Sequence, residues 1–501
     1  MKRASLALAL LLLPAGLRAQ AIRRESVWAT TAAAAESASR RGDWPEANRR
    51  ASEVIAAFNT NGNAWGVTDL ISAGRAYVVL GRRDPQFFHN ALQTFDRAAA
   101  RDSTNIDARL RAADLLLDKY NAPDADQSYR EVLTIVPNEP HALFGLARSL
   151  AFSGDPKATM AVRTALRADS TLAPARVLLA QLHLGAEAYD SAVSNATRAI
   201  AYDSSAVQAW AILGAIAWLR GDSAAFAAAH AASERIEPRS VTFYSEIADA
   251  AARNRRYADA VAMAQLAVRA DSQSARAFGV LGENQLRTGE MIAGRANLDR
   301  AFALDPYNLW HKNMLDLLDN VRKFKTIRTA RFEFVAPQGE AEYLALYVGP
   351  LLEAAYDTFA VRYGYRPPTP IRVEIYDRHA DFSVRTVGLT GLGALGVCFG
   401  PVIVLDSPRA RDAGELNYGS TALHELAHTF TLGLSAWRVP RWISEGLSVM
   451  EERRAGHGWG ADVSADFLAV YKGGVLPTAS HINEGLVRPA FPAEIGFSYY
   501  E

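Results

Sequence analysis

Short clusters of Asp, Pro and Ser punctuate this chain at a nearly constant interval. ARDS ends at 103, IVPN at 138, RADS at 170, AYDS at 204, RIEP at 238, RADS at 272 and ALDP at 306. From the second mark on, the intervals are 32, 34, 34, 34 and 34 residues. A fixed period of this size constrains the fold more than any single motif. Each unit has room for two helices and a turn, and a helix pair leaves an apolar face that only the next pair can cover. Stacking then buries those faces and leaves a concave groove.

Residues inside the period repeat as well. Trp210, Leu213, Gly214, Gly221 and Pro238 stand at the same offsets as Phe278, Leu281, Gly282, Gly289 and Pro306. Ala192 and Ala199, like Ala260 and Ala267, supply small residues where two helices touch closely. This pattern resembles the tetratricopeptide repeat (TPR) over roughly residues 40–320. GDWPEANRRASEVI reads as the second helix of a less regular repeat, and 65–100 as another helix pair with an altered linker. The resemblance implies an all-α TPR superhelical solenoid whose groove takes a protein partner or serves as a scaffold for its neighbour.

Past Leu318 the alanine-rich pattern stops. RFEFVAP (331–337) alternates like a strand, IRVEIYD (371–377) reads as a second, and PVIVLDSP (401–408) as a third. Proline at both ends of the third suits a sheet edge. A helical stretch lies between the first two strands, and two helices follow the third. The order implies an α+β region with a small mixed sheet. GLTGLGALGVCFG (388–400) lacks the lysine and serine of a phosphate loop and reads as a mobile loop near a cleft.

The first of the two later helices carries HELAH, residues 424–428. Residues four apart share a helix face, so His424 and His428 can bind one metal ion. Glu425 is rotated by about 100° from His424, beside that ion, where it can hold a bound water. A catalytic zinc takes three protein ligands and keeps a fourth position for water. TLGLSAWRVP then has the Gly and Pro needed to turn the chain, and in VPRWISEGLSVMEE Pro440 presets a helix start with Glu445 one turn in. Glu445 is thus the candidate third ligand.

HELAH at 424–428 followed by WISEG at 442–446 resembles the gluzincin class of zinc metallopeptidases, over about 330–501. The resemblance implies a zincin-like domain with one zinc ion held by His424, His428 and Glu445, and Glu425 as the general base. It implies a peptide or protein substrate lying along PVIVLDSP as an added strand. Such enzymes use an acid to orient a ligand histidine. Val449 stands at the common position four past Glu445, and Glu452, on the same face as Glu445, is the candidate. Glu451 and Glu452 read otherwise as a solvated helix end. Tyr499 and Tyr500 are candidate oxyanion stabilisers, with ordinary packing as the other reading; the chain stops there, and the expectation is that the natural protein continues or that this copy is truncated.

The chain is long enough for several domains: 501 residues, half of them apolar. Lys plus Arg balances Asp plus Glu at 54 each, and no basic tract argues for nucleic acid. A single cysteine, Cys398, excludes a disulfide framework and a cysteine-based zinc site. MKRASLALALLLLPAGLRA has the charged start, short apolar run and small residue of a secretory signal. It is too short to span a bilayer, and no later stretch is long and apolar enough. The expected organisation is a signal peptide at 1–19, the TPR solenoid at 20–324 and the gluzincin domain at 325–501. The mature protein would be exported, periplasmic or secreted, with no membrane span.

Overall fold

The computed structural model describes residues 26–412, 414, 417–460 and 464–474, with 482 and 486 beyond them. The signal-like start and Tyr499 and Tyr500 lie outside the described residues. The chain packs as two compact units that divide between Leu115 and Leu116. The change from helix pairs to sheet near residue 325 falls inside the second.

The first unit holds two antiparallel helix pairs, α1 (Val27–Arg40) with α2 (Trp44–Asn61) and α3 (Val67–Gly81) with α4 (Phe87–Arg101). Asp43 caps α2 by accepting from the Glu46 N–H, with Pro45 in its first turn. Both are standard helix-start chemistry. Ala32, Ala35, Val54, Leu70 and Phe95 form the fully buried middle of this unit. The boundary to the second unit falls inside α5 (Ile106–Asp118).

The second unit opens with α6 (Ala122–Ile135), α7 (Pro140–Phe152), α8 (Ala158–Ala168) and α9 (Ala173–Gly185). Four more helices follow: α10 (Tyr189–Tyr202), α11 (Val207–Arg220), α12 (Ser223–Ile236) and α13 (Val241–Arg253). The array ends with α14 (Tyr257–Ala270), α15 (Ala275–Arg287), α16 (Met291–Leu304) and α17 (Leu309–Val321). This is a TPR-like helical repeat solenoid.

The periodic Asp marks are the turns between its pairs. Asp169, Asp203 and Asp271 each accept from the backbone N–H two residues on, at 2.8, 2.9 and 2.9 Å. Such Asx turns stop one helix and launch the next. Glycine sets the spacing of the pairs: a Cβ on Gly214 would lie 2.4 Å from the Phe243 ring, and one on Gly282 would lie 2.8 Å from the Gly294 carbonyl.

Within each repeat the chain turns through a left-handed residue. Gly154, Gly221 and Gly289 fill that position, with φ of 70°, 72° and 86°. Tyr120, Glu187 and Arg255 fill it in the alternate repeats, at φ 66°, 54° and 61°. A side chain there costs on the order of 1 kcal/mol over glycine. Tyr120 uses its side chain to meet the other end of the array: its hydroxyl accepts from Asn308 Nδ2 at 2.7 Å and its ring packs edge-on to Trp310.

The α+β part has a five-stranded sheet, in the order β1 (Lys325–Arg328), β2 (Phe332–Ala336), β3 (Ile371–Tyr376), β5 (Val402–Asp406), β4 (Gly396–Cys398). The three middle strands run parallel and the outer two antiparallel. PVIVLDSP is therefore an inner strand, not an edge. Its prolines, 401 and 408, lie outside the paired residues 402–406 and withhold no ladder N–H. The glycine-rich segment read as a loop supplies the edge strand instead, pairing Val397 with Val404.

Both faces of the three parallel strands are packed, so those strands are mostly apolar and mostly buried. Val373, Ile375, Ile403 and Leu405 face α18 (Ala341–Tyr363) and α20 (Tyr418–Leu434). Tyr376, Val402 and Val404 pack with Leu286, Leu298 and Met314 of the repeats and with Phe382 of α19 (His379–Val387). Buried Arg385 joins the two halves, donating to Glu374 at 2.6 Å and to the Leu286 carbonyl at 3.0 Å. Two helices follow α20, namely α21 (Arg441–Ala455) and α22 (Ala465–Lys472). Among the described residues no helix is long and apolar enough to cross a membrane.

Candidate metal centre

HELAH lies in the middle of α20 and Glu445 in the second turn of α21. Asn417 caps α20 by accepting from the Ser420 N–H, and Pro440 precedes the first residue of α21. Between them the chain reverses through Ala436 and Trp437, both left-handed at φ 48° and 64°. A Cβ on Gly400 would strike the Trp437 ring, so the turn is seated directly on the backbone between β4 and β5.

This hairpin brings three donor atoms together. His424 Nε2 and His428 Nε2 are 3.1 Å apart, and Glu445 Oε2 lies 3.3 Å from the first and 3.2 Å from the second. A tetrahedral zinc with bonds of ~2.0–2.1 Å separates its ligand atoms by about 3.3 Å. The three edges here have that length. Among the described residues this is the one His, Cys or carboxylate cluster arranged to hold a metal ion.

The outer nitrogens are already engaged. His424 Nδ1 donates to Glu452 Oε1 at 2.6 Å, and Ser420 donates to the other Glu452 oxygen. His428 Nδ1 lies 2.8 Å from Ser444 Oγ and 3.3 Å from Ser448 Oγ. With Nδ1 protonated on both rings, each Nε2 presents a lone pair. Two lone pairs 3.1 Å apart repel unless a cation sits against both. The residues thus fit a zinc ion, and the hydrogen bonds from Nδ1 are the kind that orient metal-binding imidazoles.

Electrostatics agree with the donor geometry. Burial disfavours the His424 cation, yet the Glu445 and Glu452 carboxylates raise this imidazole to about 10. Burial likewise opposes ionisation of Glu445, but His428 and His424 hold its carboxyl well below the usual range. A divalent cation would replace the proton that these groups otherwise attract.

Glu425 differs from the other acids. It is 6% exposed and accepts no hydrogen bond among the described residues. Burial pushes its carboxyl up, against the pull of His428 and His424. Its side chain lies against the edge strand: a Cβ on Gly396 would stand 2.8 Å from Glu425 Cγ and from Oε1. Cys398, on the same strand, is buried, and burial pushes its thiol up to about 12. It is an inert packing group.

Glu451 and Glu452 are buried, not a solvated helix end. Glu451 is held by Arg362 and accepts from the Tyr363 hydroxyl at 3.0 Å, which pins α21 to α18. Glu452 turns towards His424. Three further neighbours are not expected from the sequence: Ser444 and Ser448, which meet His428, and Arg255 of the repeat array. Arg255 Nη1 lies 3.8 Å from Glu445 Oε1. The signal for it was present, since Arg255 occupies a repeat position that Gly221 and Gly289 fill on either side.

No known protein-family model matches the chain, and no curated protein does. Several solved structures resemble it in part. Yeast Tom70 is 14% identical over 51% of this chain and 57% of that one, with a TM-score of 0.35. A tetratricopeptide repeat protein from Parabacteroides merdae is 16% identical over 53% and 97%, with a TM-score of 0.34. PilF of Pseudomonas aeruginosa is 20% identical over 43% and 99%, with a TM-score of 0.29. The chain thus spans little more than half the length of the Tom70 structure.

Proposed function

We propose that this chain is an exported zinc-dependent peptidase whose repeat array scaffolds its own catalytic region. The observation that carries the proposal is the triangle of donor atoms, with edges of 3.1, 3.2 and 3.3 Å, formed by His424, His428 and Glu445. These three residues would hold the zinc. When bound, the metal supplies a Lewis acid for the peptide carbonyl and lowers the pKa of water towards neutrality.

The chain's own groups do the rest. Glu425 accepts the proton of the attacking water and returns it to the leaving amine. A carboxyl raised by burial suits both steps, because a base works best when its pKa lies near the working pH. Glu452 fixes the His424 ring and Ser444 the His428 ring, so neither imidazole must be ordered during turnover. The edge strand β4, beside Glu425, replaces PVIVLDSP as the strand on which an extended peptide would add. Export rests on the signal-like first residues.

Helix-pair repeats favour a second reading, a scaffold that binds a protein segment while its peptidase-like site is silent. One pair of measurements separates the two. Metal analysis of the purified protein should give one zinc per chain, and a mixed peptide library should be cleaved. Glu425→Gln should retain the zinc and lose at least 100-fold in turnover. A chain that holds zinc but cleaves nothing would leave the scaffold reading in place.

A further inference from the structure

A cavity of about 320 Å³ lies where the repeats meet the turn into α21. Arg220, Arg255, Arg256, Arg438 and Arg441 line it, with Glu187 as the acid among the lining residues. Arg438 is exposed and makes no ion pair among the described residues. Arg255 links the cavity to the metal centre, since it lines the one and stands 3.8 Å from Glu445 of the other.

Two of the lining residues occupy the left-handed turn position of the repeats, Glu187 at φ 54° and Arg255 at φ 61°. Equivalent turns use Gly154, Gly221 and Gly289. A strained backbone persists where the side chain it carries has a task. Glu187 pairs with Arg441 at 3.4 Å and holds the first turn of α21. Arg255 is the corresponding residue two repeats on, and its guanidinium points at the metal centre. A planar guanidinium in a partly buried wall matches a carboxylate with two parallel hydrogen bonds.

We propose that Arg255, with Arg438 and Arg441 around it, forms a subsite for a carboxylate of the substrate. The repeat array then sets specificity rather than only bearing weight. The carboxylate belongs either to the free C-terminus of a peptide or to an Asp or Glu side chain beside the cleaved bond. The role as a substrate site rests on the peptidase reading, while the affinity for carboxylates does not.

The test uses the full zinc-loaded chain and matched peptides. A free-acid peptide should be cleaved with at least a 10-fold higher kcat/KM than its C-terminal amide, or a Glu peptide than its Gln counterpart. The first result identifies the terminal carboxylate and the second the side chain. Arg255→Gly should bring the preferred ratio close to one, mainly through KM, and Arg255→Lys should restore part of it. Arg255→Gly should melt no lower than the parent, because glycine is the residue this turn uses elsewhere. Equal cleavage of acid and amide forms in both pairs would overturn the proposal, as would a proportional loss on all substrates in Arg255→Gly.

Calorimetry with glutarate on the metal-free chain gives a readout without turnover. Binding should weaken at least 10-fold in Arg255→Gly, and no binding to the parent chain would also overturn the subsite. A chain that cleaves nothing yet binds glutarate through Arg255 would remove the peptidase reading and keep the subsite.

Discussion

In the proposed metal centre each residue has a separate task, so single substitutions should fail in different ways. Glu445→Ala removes one corner of the donor triangle and should lower zinc content below half occupancy in metal analysis. Full occupancy would remove Glu445 from the ligand set. Glu452→Gln keeps the shape and the bond to His424 but lowers the basicity of the ring. Loss of such an outer partner costs roughly 10–100-fold in metal affinity, measurable by competition with a chelator. Gly396→Val tests the edge strand. Its side chain would meet Glu425 at 2.8 Å, so turnover should fall while zinc stays bound. His424, Glu425 and His428 were legible in sequence because a helix fixes their relation within one turn. Glu452 was legible only as one of two readings, because only the neighbouring helix decides whether an acid at that position is solvated or buried.

The helix pairs show how element-level signals behave. Caps and Asx turns are local, so the helix boundaries follow from Asp, Asn, Ser, Pro and Gly marks in the sequence. The role of a strand is not local. Val402–Asp406 carries prolines on both sides and still lies inside the sheet, because Gly396–Cys398, a strand too short to announce itself in the sequence, pairs with its outer side. Helix contact also buries groups that sequence leaves unremarked. His311 of α17 fits into the space left by Gly279 of α15, where a Cβ would stand 2.3 Å from its Nε2. Burial holds this imidazole down at about 4, although Asp305 favours its charged form. The unfolded chain binds the proton at about 6.5, so stability falls as pH drops below 6.5 and the loss is complete near 4. It amounts to on the order of 3 kcal/mol. Urea midpoints at pH 7 and pH 4.5 should differ accordingly, and His311→Leu should flatten the difference.

Within the larger unit, the repeats and the sheet share one interior. Tyr257 of the array packs edge-on to Phe399 and Trp437, and Arg441 of α21 donates to the Arg253 carbonyl at 2.5 Å. A buried polar tie is Arg385, which bridges Glu374 and the Leu286 carbonyl. Arg385→Met leaves buried Glu374 with less than its full set of partners. Breaking a buried pair from one side costs about 3–5 kcal/mol, so the denaturant midpoint should drop sharply. Replacing both residues, in Arg385→Met with Glu374→Leu, should recover much of that loss. Little change in the single variant would mean that the two parts are held by apolar contact alone.

The amino-acid sequence by itself determined the repeat period, the helix pairs and the histidine pair, because each depends on spacings of a few residues along one chain direction. Tertiary structure alone decided which strand is the sheet edge, that Glu452 turns inward, and that an arginine 190 residues before Glu445 stands beside it. Those outcomes depend on which surfaces exclude water together, and burial is a property of the packed chain rather than of any window within it.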